Sequence, residues 1–173
     1  ARLSFSYDAG GATATTPPAH YQVDHNRVQL GQGAATFAAA CRALRAWTMF
    51  DLGWLTLHWP DAPITVGTTV GVLAHLPGCY SLNACRIVYV LDEERDGITR
   101  VGFAYGTLPD HLERGEERFT IEWRHRDDSV WYDILAFSQP QHWLVKIGYP
   151  VARYYQRRFA RESLRRMQRA VLN

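Results

Sequence analysis

The chain has 173 residues, 47% hydrophobic and 21% charged, with 19 basic and 17 acidic side chains and a formal net charge of +2. That is the size of a single domain, 1–173, able to bury one core without disulfides or metals as staples. No run of eighteen apolar residues occurs and the first residues show no charged-then-apolar leader, so a spanning helix and a secretory signal are not expected, and a cytoplasmic location is. Cys41, Cys79 and Cys85 are odd in number and lack CxxC spacing, which points to reduced, buried thiols rather than a disulfide framework or a zinc site.

The first twenty residues read as a short extended piece followed by a loop rich in Gly, Thr and Pro. Residues 21–30 alternate as a strand. After Gly31-Gln32-Gly33 the period changes, and Phe37, Ala40, Cys41, Leu44 and Met49 predict a helix over 34–52 that lies against a core. Strands follow at 55–59, 64–73, 85–91, 99–105, 118–124 and 130–137, separated by turn formers such as Leu76-Pro77-Gly78, Asp96-Gly97 and Asp127-Asp128. Short connections between six strands imply an antiparallel meander. In 118–124 Phe119, Ile121 and Trp123 share one face, and Arg118, Thr120, Glu122 and Arg124 the other, which is expected to be wet or to face a polar cavity.

A break at Gly148-Tyr149-Pro150 precedes a long C-terminal helix with Pro150 as its first residue. Along it Val151, Tyr155, Phe159, Ser163, Met167 and Ala170 form an apolar side, and Arg153, Arg157, Arg161, Arg165 and Arg169 recur every four residues. Residues 142–173 carry eight basic side chains and one acidic, +7, which leaves −5 for the remainder. Strand, helix, six strands and a long final helix is the element order of an α+β helix-grip fold of the START and birch-pollen-allergen kind. There a curved antiparallel sheet wraps the C-terminal helix, often around a cavity; a filled core is the plainer version of the same order.

Val101-Gly-Phe-Ala-Tyr-Gly-Thr-Leu-Pro-Asp-His111, followed by Gly115-Glu-Glu-Arg-Phe119, resembles the signature of the uncharacterised protein family UPF 0548, a domain of unknown function. Asn83 to Tyr89, Phe137-Ser-Gln-Pro140 and Gln156-Arg-Arg-Phe-Ala160 resemble further blocks of that family, in order and over nearly the whole chain. Gln139 stands where the resemblance leads one to expect an arginine. The resemblance implies no assigned activity.

The same central stretch concentrates the chemistry. Tyr105, Thr107, His111, Glu116 and Arg118 are expected to converge at the open end of the sheet, with Asn83 and Arg86 on the neighbouring strand. Three functions are open. The leading one is a binder of a small apolar or amphipathic molecule between sheet and C-terminal helix, with these residues at the mouth. The second is an enzyme in which His111 exchanges a proton near neutral pH, Glu116 or Glu117 orients it, and Arg118 clamps an anion. The third is an interaction module whose surface of Arg153, Arg157, Arg161 and Arg165 docks on anionic lipid, with nucleic acid disfavoured. Beside them stand structural readings: Gly106 and Pro109 shape a turn, Thr107 caps it, Glu116 or Glu117 pairs with Arg118 or Arg86, and the acidic body neutralises the arginines. Gly31-Gln32-Gly33 lacks the third glycine and the βαβ setting of a dinucleotide site, and neither HExxH nor GxSxG occurs. No metal and no cofactor are expected.

Overall fold

A computed structural model describes residues 3–109, 111, 113–140 and 149–172. Its frame is one seven-stranded sheet, antiparallel throughout, in the order β1-β7-β6-β5-β4-β3-β2. The strands are β1 (Gln22–Gln32), β2 (Leu55–His58), β3 (Thr69–Leu76), β4 (Cys79–Arg95), β5 (Ile98–Thr107), β6 (Glu113–Arg124) and β7 (Ser129–Pro140). Between β1 and β2 the chain forms α1 (Gly33–Arg45) and a 3-10 turn, Thr48–Phe50, and after β7 comes α2 (Tyr149–Ala170). The helix-grip expectation holds: β2 to β7 form a meander, β1 pairs with the last strand, and the helices cover one face.

The turns follow local chemistry. Asp96 and Gly97 both have positive φ, 54° and 70°, as a two-residue hairpin requires when its twist must match the strands, and they join Arg95 directly to Ile98. Bulges between Gln29 and Gly31 and between Ile87 and Tyr89 bend the sheet. β4 runs to 17 residues where alternation predicted only 85–91. The second bulge lies inside that predicted stretch and resets which side chains face inward; the strand extends past it at both ends through exposed or half-buried residues.

The predicted helix over 34–52 is also corrected. It ends at Arg45 because Trp47 adopts a left-handed conformation, φ 55°, which turns Trp47, Met49 and Phe50 into the core at 2%, 0% and 3% exposure. Trp47 Nε1 holds that reversal by donating to the Ala62 carbonyl at 3.1 Å. β3 starts at Thr69 rather than at 64, since Thr65 to Thr68 form a hydrogen-bonded turn. Cys41 and Cys85 are buried, as expected of structural thiols, but Cys79 is exposed at the β3–β4 hairpin.

The sheet's two faces differ sharply. The inner face presents Phe103, Phe119, Ile121, Tyr132 and Ile134 to the helices, all 0–1% exposed. The outer face is polar yet not wet at its centre. Glu122, 7% exposed, accepts from Arg27 Nη2 at 2.5 Å, Arg124 Nε at 2.8 Å and Arg100 Nε at 3.0 Å, and Arg27 lies over the Trp131 ring. Burial alone would raise the Glu122 carboxyl, but the three guanidinium groups, led by Arg27, outweigh it and hold the pKa at about 2. A depressed pKa stabilises the fold above the unfolded value near 4.5 and loses that contribution as pH falls toward 2. Glu122→Gln is expected to cost on the order of 1–3 kcal/mol at pH 7. Urea unfolding should show the gap between variant and wild type shrinking below pH 4.5; a gap independent of pH would contradict this role.

Candidate functional site

Between the inner face and α2 lies a cavity of about 830 Å³. Its wall is largely apolar, with Phe50, Val72, Ile134, Phe159 and Leu164 among the lining side chains. That volume is in the range of small-molecule sites. α2 closes one end by burying Ala160, Ser163 and Met167, with the Ser163 and Tyr132 hydroxyls 3.1 Å apart. Near its start α2 is tied to β1 by Arg153, which donates to Asp24 through Nη2 at 2.7 Å and also through Nη1. Arg157, Arg161 and Arg165 border the cavity while exposed to solvent, so the mouth opens along that side of the helix.

Of the residues singled out from sequence, Tyr105, Thr107, His111, Asn83 and Glu116 border the cavity. Only some can address a ligand. Thr107 Oγ1 is occupied structurally, accepting from Gly115 N at 2.9 Å and lying 2.6 Å from Ser6 Oγ. Glu116, 3% exposed, turns its carboxylate to the N-terminal segment. It accepts from Tyr7 Oη at 2.7 Å, Gly11 N at 2.6 Å, Thr13 N at 3.0 Å and the Thr13 hydroxyl. Tyr7 can lie there because position 106 is glycine: a Cβ would stand 2.1 Å from the Tyr7 oxygen. Burial, then the bond to Glu116, pushes the Tyr7 hydroxyl far above its usual range, so it remains a donor.

Arg118 and Arg86 do not reach the cavity. Arg118 donates to the Thr13 carbonyl at 2.8 Å and to Asp133 at 3.4 Å, and Arg86 to the Leu3 carbonyl at 2.5 Å and Thr69 at 3.2 Å. Strand alternation puts Arg118 on the face opposite Glu117 and Phe119, which corrects the expectation of an anion clamp beside His111. His111 also departs from a neutral-pH proton exchanger. Burial lowers its pKa to about 4, and Nδ1 accepts from the Glu113 amide at 3.0 Å, a bond that needs the lone pair of an unprotonated nitrogen. The imidazole is therefore neutral at pH 7. Of the four arginines proposed as an anion surface, Arg153 is committed to Asp24, whereas Arg157, Arg161 and Arg165 make no ion pair among the described residues.

One residue was cited from sequence only as a possible partner of His111 or of the arginines, and it sits at the centre: Glu117. It lines the cavity next to Tyr105, whose hydroxyl donates to Oε2 at 2.8 Å. Glu117 is half-buried and lines the cavity. Burial raises its pKa to about 7, with the Tyr105 bond opposing and Asp24 and Glu113 adding. Glu113 is likewise raised by burial and is bonded to Gln156 of α2. The clue in the sequence was parity, since Glu117 alternates in phase with Phe119 and Ile121.

Residues 6–166 match the family model described as "Domain of unknown function (DUF1990)". The chain belongs to this family. A UPF0548 protein of Dictyostelium discoideum is 43% identical over 159 residues, covering 88% of this chain and 74% of that protein. One of Arabidopsis thaliana is 32% identical over 145 residues, covering 83% and 70%. Solved structures show the fold at far lower identity. TTHA0849 of Thermus thermophilus has a TM-score of 0.59 at 9% identity, covering 87% of this chain and 97% of that one. Human STARD10 has 0.52 at 13%, covering 99% and 73%. Norcoclaurine synthase of Thalictrum flavum in complex with dopamine and hydroxybenzaldehyde has 0.50 at 14%, covering 88% and 87%. The START and birch-pollen-allergen type of fold is thus established for this DUF1990 chain.

A carboxyl group raised by burial destabilises the fold once it ionises. Its share of stability is complete below the unfolded value near 4.5 and is lost as pH rises through about 7. Glu117→Gln is expected to stabilise the protein at pH 8 by on the order of 2 kcal/mol. In thermal unfolding followed at pH 8 and pH 4.5, the higher Tm of the variant should vanish at the lower pH; equal Tm values at pH 8 would refute the raised pKa.

Proposed function

We propose that this DUF1990 protein binds a small apolar or amphipathic molecule in the cavity between the sheet and α2. The observation that carries this reading is the 830 Å³ space itself, walled by side chains of both layers. Interiors normally pack with few voids larger than a water molecule, and apolar wall left uncovered forfeits contacts that a ligand would restore. The wall offers a long apolar surface for the body of the ligand, while Glu117, Asn83 and His111 offer polar contacts. A related fold holds small ring compounds in norcoclaurine synthase, which supports the reading at the level of architecture.

The division of labour differs from the sequence expectation. Tyr105, His111 and Asn83 address the ligand, whereas Glu116, Thr107, Arg118 and Arg86 build the wall from behind by fastening the N-terminal segment and the β5–β6 connection. An acid/base mechanism joining His111 to Arg118 is not favoured, because the two face different sides of the sheet. A single-domain arrangement of 1–173 belongs to the same proposal.

The test is to fill the space. Ala136 lines the cavity from β7, so Ala136→Trp places an indole in it without removing a polar contact. Wild-type protein should enhance and blue-shift the fluorescence of N-phenyl-1-naphthylamine, with decanol displacing the probe. The variant should bind it at least about tenfold more weakly while keeping its far-UV circular dichroism and Tm. Equal binding by both proteins, or no enhancement with wild type, would refute the proposal.

A further inference from the structure

The cavity contains a carboxyl group with no cationic partner among the described residues. Glu117 receives one hydrogen bond, from Tyr105 to Oε2, and its Oε1 has no partner among the described residues. The charges that act on it, Asp24 from β1 and Glu113 from its own strand, share its sign. Arg153 of α2 donates to Asp24 on β1 and to Gln156. The other described titratable groups beside it on the sheet supply no positive charge: Tyr105 on β5 and Tyr132 on β7 are raised well above their usual range and keep their protons, and Cys85 on β4 is raised as well. His111 is neutral at pH 7.

The other described carboxyl groups buried in the sheet are answered: Glu122 has three guanidinium groups, Asp133 has Arg27 and Arg118, and Glu116 has four neutral donors. Among the described carboxyl groups of β6 that line the cavity, Glu117 is the one left with a single hydrogen bond. A ligand that expels water from the space must either leave this carboxyl protonated or bring a cation to it, because an unpaired ion in an apolar setting is strongly disfavoured. Arg157, Arg161 and Arg165 favour an anion only at the rim, where they remain in water and their attraction is screened. The interior group decides the chemistry of the head that enters.

We propose that the cavity takes an amphipathic ligand with a basic nitrogen, held as a cation against Oε1 of Glu117 while its apolar body lies along Ile134, Phe159 and Leu164. This rests on the ligand-binding reading of the cavity and specifies the ligand class. Binding of such an amine should strengthen as Glu117 ionises above pH 7. The amine itself stays protonated across this range, as a lysine side chain does.

The experiment is isothermal titration calorimetry with three probes of one chain length, decylamine, decanol and decanoate, at pH 8.5 and pH 5.5. At pH 8.5 decylamine should bind wild-type protein about tenfold or more tightly than decanol, and decanoate most weakly. At pH 5.5 the preference for the amine should fall to about threefold or less. Glu117→Gln, which keeps the size and an acceptor for Tyr105, should remove the preference of amine over alcohol at pH 8.5. Should that variant fail to fold, the three-probe comparison on wild type at the two pH values decides alone.

Equal affinities for amine and alcohol, or a preference for decanoate, would overturn the amine inference and leave ligand binding standing. A preference that survives in Glu117→Gln would overturn the assignment to this residue. If none of the three probes binds, the inference falls together with the cavity reading.

Discussion

The wedge of three phenyl rings between sheet and C-terminal helix is the constraint on which the rest depends. Phe50 from the turn after α1, Phe119 from β6 and Phe159 from α2 meet with centroids 5.3, 5.6 and 6.4 Å apart. Their packing anchors the helix at one depth above the sheet. Ala160, Ser163 and Met167 follow, buried between helix and sheet. On the other side of the rings the same helix cannot approach further, because Phe50 and Phe159 stand in the way and Arg153 is tied out to Asp24 on the edge strand. The cavity is a consequence of how the core is packed, and each of these aromatic side chains serves both core and wall.

The outer face keeps that arrangement rigid from behind. A sheet that leaves space on its inner side loses contacts there and needs compensation elsewhere. Here the N-terminal segment lies across the outer side, with Tyr7 on Gly106 and edge-to-face against Phe137, and its amides captured by Glu116. Farther along, Glu122 and Asp133 gather arginines from several strands. Adjacent residues of β6 thus do opposite work. Glu116 satisfies backbone donors that would otherwise be buried and unpaired, and Glu117, one position on and facing the other way, keeps a free oxygen toward the cavity.

The architecture was legible because its signals are local or periodic. Turn formers such as Asp96-Gly97 marked the hairpins, the clean alternation of 118–124 marked β6, and the four-residue recurrence of arginines marked α2. What failed were places where one residue overrides a period. Trp47 in a left-handed conformation ended α1 early, and a bulge after Ile87 broke the alternation inside β4. The site was legible as a neighbourhood more than as a set of roles. Residues 103–107 and 116–122 are adjacent strands with His111 between them, as spacing implied. Proximity in sequence does not say which face a side chain takes, however, and Arg118 took the outer one. Nor does it reveal that Tyr7, Gly11 and Thr13 near the N-terminus would claim the carboxylate of Glu116 from more than a hundred residues away.

The central claim is that an apolar chain lies between the sheet and α2. The most direct measurement is a set of intermolecular nuclear Overhauser effects from methyl-labelled protein to bound decanol. The account predicts contacts to the methyl groups of Val72, Ile134 and Leu164, one from each wall and from the helix above. Contacts confined to exposed methyl groups such as those of Val66 and Leu172, 67% and 81% exposed, would contradict it and place the apolar ligand on the surface instead.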